Sequence, residues 1–227
     1  MSLVELKKAI LSTLAYADIF DYPLRENEIY RFLISNFQFP IAKQQAPLIS
    51  NFQKKLSALS GVISKKNGFY CLRGREKIIS IRKKREGWSK EKLKIAKRVA
   101  GWLKLIPSIK MVAVTGALAM MNSDKKDDID LLIITSKNRL WLTRFLTVIL
   151  VELIAKRRHP ADKEVKDKIC LNMFLDEGHL KVPEKEQDLF SAHEVCQLKV
   201  LWDKNGIYQK FLKENQWVKQ FLANWKP

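Results

Sequence analysis

The chain lacks most of the signatures that announce a particular chemistry. It has no glycine-rich Walker loop, no zinc-spaced His/Cys cluster and no recognisable Ser-His-Asp arrangement. Cys71, Cys170 and Cys196 are odd in number, widely separated and without metal-ligand spacing, so they read as reduced, mostly buried thiols of a cytoplasmic protein. No basic-apolar leader opens the sequence, and no repeats or low-complexity segments follow. The most apolar run, LWLTRFLTVILVELIA at 140–155, contains Arg144 and Glu152. It is also shorter than the ~20 residues that cross a bilayer. It is read as a core helix covering a sheet, with no membrane insertion.

Acidic residues are scarce as well. Asp and Glu number 24 against 42 Lys and Arg, which leaves a net charge of +18. Such an excess points to a polyanionic partner: nucleic acid, nucleotide or an acidic membrane surface. With 227 residues, 47% of them hydrophobic, the chain is long enough to bury a full core in two or three compact units.

What is present is concentrated in MVAVTGALAMMNSDKKDDIDLLIIT, residues 111–135. An apolar β-rich segment, 111–115, stops at Gly116; a short helix-prone piece, 117–121, and a polar loop, 122–127, precede a second strand over 128–134. Side chains alternate along a strand, so Asp128 and Asp130 share one face while Ile129, Leu131 and Ile133 take the other. Adjacent carboxylates at the start of a buried strand are costly unless a cation sits between them. Hard oxygen donors at that spacing suit Mg²⁺ or Mn²⁺ and phosphate chemistry. Gly116 permits a tight turn and close approach to a ligand, and the amides that open the next helix can hold phosphate. The plain alternative is a solvated turn through Asp127, Asp128 and Asp130 leading into a strand.

Strand, glycine, small residue, polar loop and Asp-apolar-Asp-apolar together resemble the polymerase-beta-like nucleotidyltransferase superfamily. The resemblance is close over residues 111–135 and looser over 110–175. It implies that Gly116 and Ala117 cradle a nucleoside triphosphate and that Asp128 and Asp130 hold two metal ions. The family usually has Ser or Gly where this chain has Ala117, so a hydroxyl is missing. It often carries a third carboxylate on a later strand, expected here over 168–176. The matching central position is read as Asn172, which makes that residue a weak, uncharged third metal ligand.

Upstream, three helices are expected over 3–17, 24–34 and 48–59, with a linker bracketed by Pro40 and Pro47. Asn67-Gly68 between two β-prone runs signals a hairpin. Three helices and a hairpin have the order of a winged helix-turn-helix, in which the third helix enters a groove and the wing touches the backbone. The third helix offers Ser50, Asn51, Gln53, Lys54 and Lys55, and the wing Lys65 and Lys66. The bland alternative is a module that packs on the catalytic unit or on a protein. Residues 73–104 carry thirteen cations, Arg82, Lys83, Lys84 and Arg85 consecutively. They are read either as a solvated helix face or as a surface tracking RNA or DNA phosphates. Ile78, Ile81, Trp88, Ile95, Val99 and Trp102 are the expected packing residues, with Gly87 a break between modules.

His159 belongs to a basic helix end, and His193 is structural. Helices are expected over 189–202 and 208–222, with a turn at Asn205-Gly206. The resulting expectation is an α+β protein: a winged-helix-like module (1–86), a nucleotidyltransferase-like mixed β-sheet with flanking helices (87–180) and a C-terminal helical unit (181–227). It would transfer a nucleoside monophosphate from a nucleoside triphosphate to a hydroxyl acceptor with Mg²⁺ or Mn²⁺. The alternative is a weakened relative that acts as a nucleic-acid-binding module or regulator.

Overall fold

The computed structural model describes residues 3–35 and 46–227, with the backbone alone at 3 and 46–51. The expected linker and the side chains of Ser50 and Asn51 lie outside the described residues. The elements are α1 (Leu3–Asp18), β1 (Leu24–Arg25), α2 (Glu26–Arg31), α3 (Ala46–Ala58), β2 (Ile63–Lys66), β3 (Phe69–Leu72) and α4 (Ile78–Leu103). They continue with β4 (Ile109–Val114), α5 (Gly116–Ala119), β5 (Ile129–Thr135), α6 (Leu140–Ile154), β6 (Ile169–Asp176), α7 (Leu189–Gln197), β7 (Lys199–Asp203) and α8 (Ile207–Glu214). The chain is thus an α+β protein with, among the described residues, two sheets ordered β1-β3-β2 and β6-β5-β4-β7.

Two compact units result. The first gathers residues 1–84, 188–196 and 217–227; the second gathers 85–187 and 197–216. In the first, Asn67 and Gly68 both have positive φ (53° and 78°), as the expected tight hairpin between β2 and β3 requires. The backbone N–H of Arg25 donates to Glu28 Oε2 at 2.7 Å, satisfying one free donor at the start of α2. This helix begins two residues later than expected because Leu24 and Arg25 pair with β3 instead.

Arg82 sits at the centre of this unit, with its side chain 4% exposed. Its guanidinium donates to Glu28 Oε1 at 2.6 Å and Oε2 at 2.8 Å, and to the Pro23 carbonyl. It also lies over the rings of Tyr22 (4.1 Å) and Phe69 (4.8 Å). Arg82 is therefore internal cement, which corrects its expected role at a nucleic-acid surface. The reason is helical phase. The buried stripe of α4 runs Ile78, Ile79, Arg82, Ser89, Lys92, Ala96, Val99, Ala100 and Leu103, and two cations fall on it. Trp102, expected inside, is 48% exposed, and α4 passes through Gly87 unbroken.

In the second unit β4 pairs antiparallel with both β5 and β7, and β5 pairs parallel with β6. Ile109, Val112, Val114, Ile129, Leu131, Ile133 and Ile169 line one face of the sheet. They pack on Ala96, Val99, Ala100 and Leu103 of α4 and Val151 of α6. β7 was expected to be helix; its residues instead pair with the otherwise open edge of β4, tertiary pairing overriding local propensity. The turn at Asn205-Gly206 forms as expected, both residues having positive φ (60° and 71°).

The expectation for α6 is corrected. It does return the chain from β5 to β6, but it turns Thr143, Thr147 and Val151 inward and leaves Trp141, Leu142, Phe145, Leu146, Ile149 and Leu153 exposed. Thr143 Oγ1 donates to Ser108 Oγ at 2.7 Å or to the Arg139 carbonyl. No helix among the described residues is long and apolar enough to cross a membrane.

Candidate metal centre

The site is built where β4 ends and β5 begins. The two strands are neighbours, with Val114 paired to Leu131 and the Thr115 N–H donating to the Asp130 carbonyl at 3.2 Å. Gly116 follows at φ +58°, and a Cβ there would lie 3.7 Å from Asp130 Oδ2. The left-handed backbone is what calls for glycine. The one-turn α5 then leads into a loop closed by the Asn122 N–H on the Ala117 carbonyl at 2.8 Å.

That loop is fixed from α4. Ser89 Oγ accepts the Ser123 N–H at 3.1 Å. Lys92, its side chain 2% exposed, donates from Nζ to the Asp127 carbonyl at 2.6 Å, to Asp167 Oδ1 at 2.7 Å and to the Lys125 carbonyl at 3.3 Å. The Asp127 carboxylate accepts the Asp124 N–H at 2.6 Å. A buried lysine with three oxygen partners thus sets where Asp128 emerges. Asp127 serves the loop, and Asp128 and Asp130 are left to act together.

Donor atoms of Asp128, Asp130 and Cys170 all lie within 4.8 Å of one another. Cys170 comes from β6, where it pairs with Asp130. Asn172 is displaced from this position: the register shifts beyond the Asp130–Cys170 pair, and Met173 next pairs with Leu132. The expectation of Asn172 opposite the aspartates is therefore corrected to Cys170. β6 starts at Ile169, so its second residue, not its centre, faces the start of β5. Arg158 completes the group. Its N–H donates to the Ile169 carbonyl at 2.8 Å, and its Nη1 reaches Asp128 Oδ2 at 2.6 Å.

Burial first, and the Asp128 charge second, push the Asp130 carboxyl above the usual carboxylate range; the Cys170 thiol and Arg158 oppose them. Burial and the hydrogen bond with Asp130 push the Cys170 thiol up to about 11. Sulfur is a soft donor, better matched to a soft or borderline ion than to a hard one. Two carboxylates on one face, one already answered by Arg158, form with the nearby Cys170 sulfur a cluster that could coordinate a metal ion. Thr115 Oγ1, directly before Gly116, is buried and without a hydrogen-bond partner.

The other expected site residues contribute no atom to this cluster. Lys54, Lys65, Lys66, Lys83 and Lys84 are exposed, and Lys55 is half-buried. Lys65 stands over the Tyr70 ring at 5.2 Å. Gln53 is held by Glu26 at 2.8 Å, and Arg85 is half-buried with Nη1 3.3 Å from Asn122 Oδ1. Cys170 and Arg158 were missed because nothing in one sequence fixes the register of a parallel pair. The only local signal was that both lie within two residues of an expected element boundary. No family model matches the chain, and no curated protein matches it.

Proposed function

We propose that the chain is a metal-dependent nucleotidyltransferase of the polymerase-beta-like kind, moving a nucleoside monophosphate from a nucleoside triphosphate to a hydroxyl acceptor. The observation that carries this reading is the close approach of the left-handed Gly116 turn to Asp130, with Asp128 beside it. Asp128 and Asp130 hold the divalent ion, and the backbone of Gly116 and Ala117 lies against the triphosphate. The ion, when bound, supplies charge stabilisation to phosphoryl oxygens as the acceptor oxygen bonds to the α-phosphorus and the bond to pyrophosphate breaks in line. The hydroxyl proton is released to solvent. Lys92 and Ser89 act at a distance, holding the loop that delivers Asp128.

The test is incubation with each labelled nucleoside triphosphate, Mg²⁺ or Mn²⁺, and a panel of RNA, DNA and protein acceptors. Asp130→Asn should lower turnover by about 10²–10³-fold, the scale of losing a principal charge-stabilising group. It should also abolish the mutual enhancement of metal and nucleotide binding. Calorimetry showing equal nucleotide affinity with and without Mg²⁺ in both proteins would refute the assignment.

A second reading is favoured by two observations at the same site. A neutral Cys170 stands where relatives often carry a third carboxylate, and Arg158 already neutralises Asp128. Both reduce the charge available to metal, and point to a weakened relative that binds nucleic acid or regulates. The order of α1, β1, α2, α3, β2 and β3 supports a winged helix in the first unit, with Lys54, Lys55, Lys65 and Lys66 turned to phosphates. Lys83 and Lys84 extend that surface; Arg82 does not. Replacing Lys65, Lys66, Lys83 and Lys84 by Ala should weaken RNA or DNA binding uniformly across sequences. It should also lower the slope of log affinity against log salt by about 4, roughly one for each lost phosphate contact. An unchanged slope in a filter-binding titration would remove these lysines from the interface.

A further inference from the structure

Helix α6 is built with its apolar side facing out. Its inward positions are Thr143, Thr147 and Val151, all fully buried. Its outward positions are Trp141 (78% exposed), Leu142, Phe145 (61%), Leu146, Ile149 and Leu153 (78%). At 100° per residue these six fall in one stripe opposite the threonines, with the exposed Glu152 on its border beside Trp141 and Phe145. The stripe exposes on the order of 600 Å² of apolar surface, at or above the largest patch of a typical monomer.

The charges around it select what can cover it. Lys137 and Arg139 precede the helix, and Lys156, Arg157 and Arg158 follow it. Glu152, the one acid of α6, is already held by Arg157 Nε at 2.6 Å, with His159 Nε2 at 3.3 Å. Arg158 is likewise held, by Asp128 at 2.6 Å, and at the other end Glu177 and Asp176 accept the backbone N–H groups of Lys137 and Asn138. Lys137, Arg139 and Lys156 remain as the exposed cations flanking the stripe. A second copy laid along it, parallel or antiparallel, would bring cations against cations in a chain of net charge +18. A protein groove would meet a surface nearly empty of hydrogen-bonding groups, since Trp141 Nε1 is the single donor among the six side chains. Protein interfaces carry about one hydrogen bond per 100–200 Å². Hydrocarbon makes no such demand, and a tryptophan at the end of the stripe suits the headgroup boundary.

We propose that α6 lies in the plane of an anionic lipid surface, its apolar stripe among the acyl chains and Lys137, Arg139 and Lys156 on the headgroups. The helix rests on the membrane without spanning it, and the sheet behind its threonine face stays in water.

Sedimentation with phosphatidylcholine vesicles, with and without phosphatidylglycerol, tests this on the whole protein. Binding should be at least about tenfold tighter when phosphatidylglycerol is present, and should weaken as salt rises. Combined Trp141→Ser, Phe145→Ser and Leu153→Ser should reduce binding to the anionic vesicles by more than about tenfold. These side chains are exposed, so circular dichroism should show the fold retained. If the triple variant binds anionic vesicles as tightly as the parent, the protein adsorbs by charge alone and the proposal fails. Absence of vesicle binding also overturns it, including the case in which analytical ultracentrifugation shows another copy, or a protein partner, seated on α6.

Discussion

Truncating Arg82 to alanine should cost about 3–5 kcal/mol of stability, the range for removing one partner of a buried ion pair. The loss has three parts. Glu28 is left beside the void without its bidentate partner, and it must also keep its hydrogen bond to the start of α2. The Pro23 carbonyl loses its donor. Tyr22 and Phe69 lose the flat cation that each ring faces. Arg82→Lys should recover only part of the loss, because an ammonium cannot make the bidentate contact and present a planar face to the rings. The measurement is the urea midpoint of each variant at pH 7. Lys83→Ala, one residue on but exposed, should change stability by no more than about 0.5 kcal/mol. A cost below 1 kcal/mol for Arg82→Ala would mean that water reaches this pair and that Arg82 is available to outside ligands after all.

His193 should make the protein acid-labile. Its ring stacks on Tyr16 (centroids 4.3 Å apart) and on Phe32 (5.7 Å). Burial pushes its pKa down from the ordinary 6.5 to about 4. A group whose folded pKa lies below its unfolded value contributes stability that is complete above the unfolded pKa and is lost as pH falls through the folded one. The window is therefore about pH 6.5 down to 4, and a shift of this size corresponds to about 3 kcal/mol. Carboxylates titrate over part of the same range, so the comparison that isolates His193 is with His193→Phe, which keeps a stacking ring and removes the proton site. Denaturation of both proteins at pH 7.5 and pH 4 should show the parent losing about 3 kcal/mol more than the variant. Equal losses would show that the imidazole reaches water in the folded state.

Both predictions concern residues whose role depends on where a helix faces, and this is where reading the sequence alone fell short. The hairpin at Asn67-Gly68, the turn at Gly116 and the shared face of Asp128 and Asp130 are local. Positive φ, period-two alternation and glycine geometry write them into a few adjacent residues. The phase of a helix is different, because it is decided by the partner surface. Arg82 and Lys92 keep perfect helical spacing with Ile78, Ala96, Val99 and Leu103, but residue type argued them outward. Thr143 went inward with its hydroxyl returned to the Arg139 carbonyl of the preceding turn, and Thr147 lies inward with its Oγ1 buried and without a hydrogen-bond partner. The bulky residues of α6 were then left outside. Cys170 and β7 depended on register and on an open strand edge, neither of which has a signal within one segment.

The composition of the first unit has a consequence for how the protein is made. Residues from both halves of the chain close it: Ser35 bridges to Leu222, and the Asn224 side chain donates to the Tyr30 carbonyl at 3.1 Å. On the ribosome, the N-terminal helices must wait for partners more than 180 residues downstream. At about 5–20 residues per second that is a delay on the order of ten seconds or more. During it, Tyr16 and Phe32 lack the His193 ring that stacks on both. The first unit therefore closes only once residues 217–225 have been made, and until then its apolar surface is open to wrong partners.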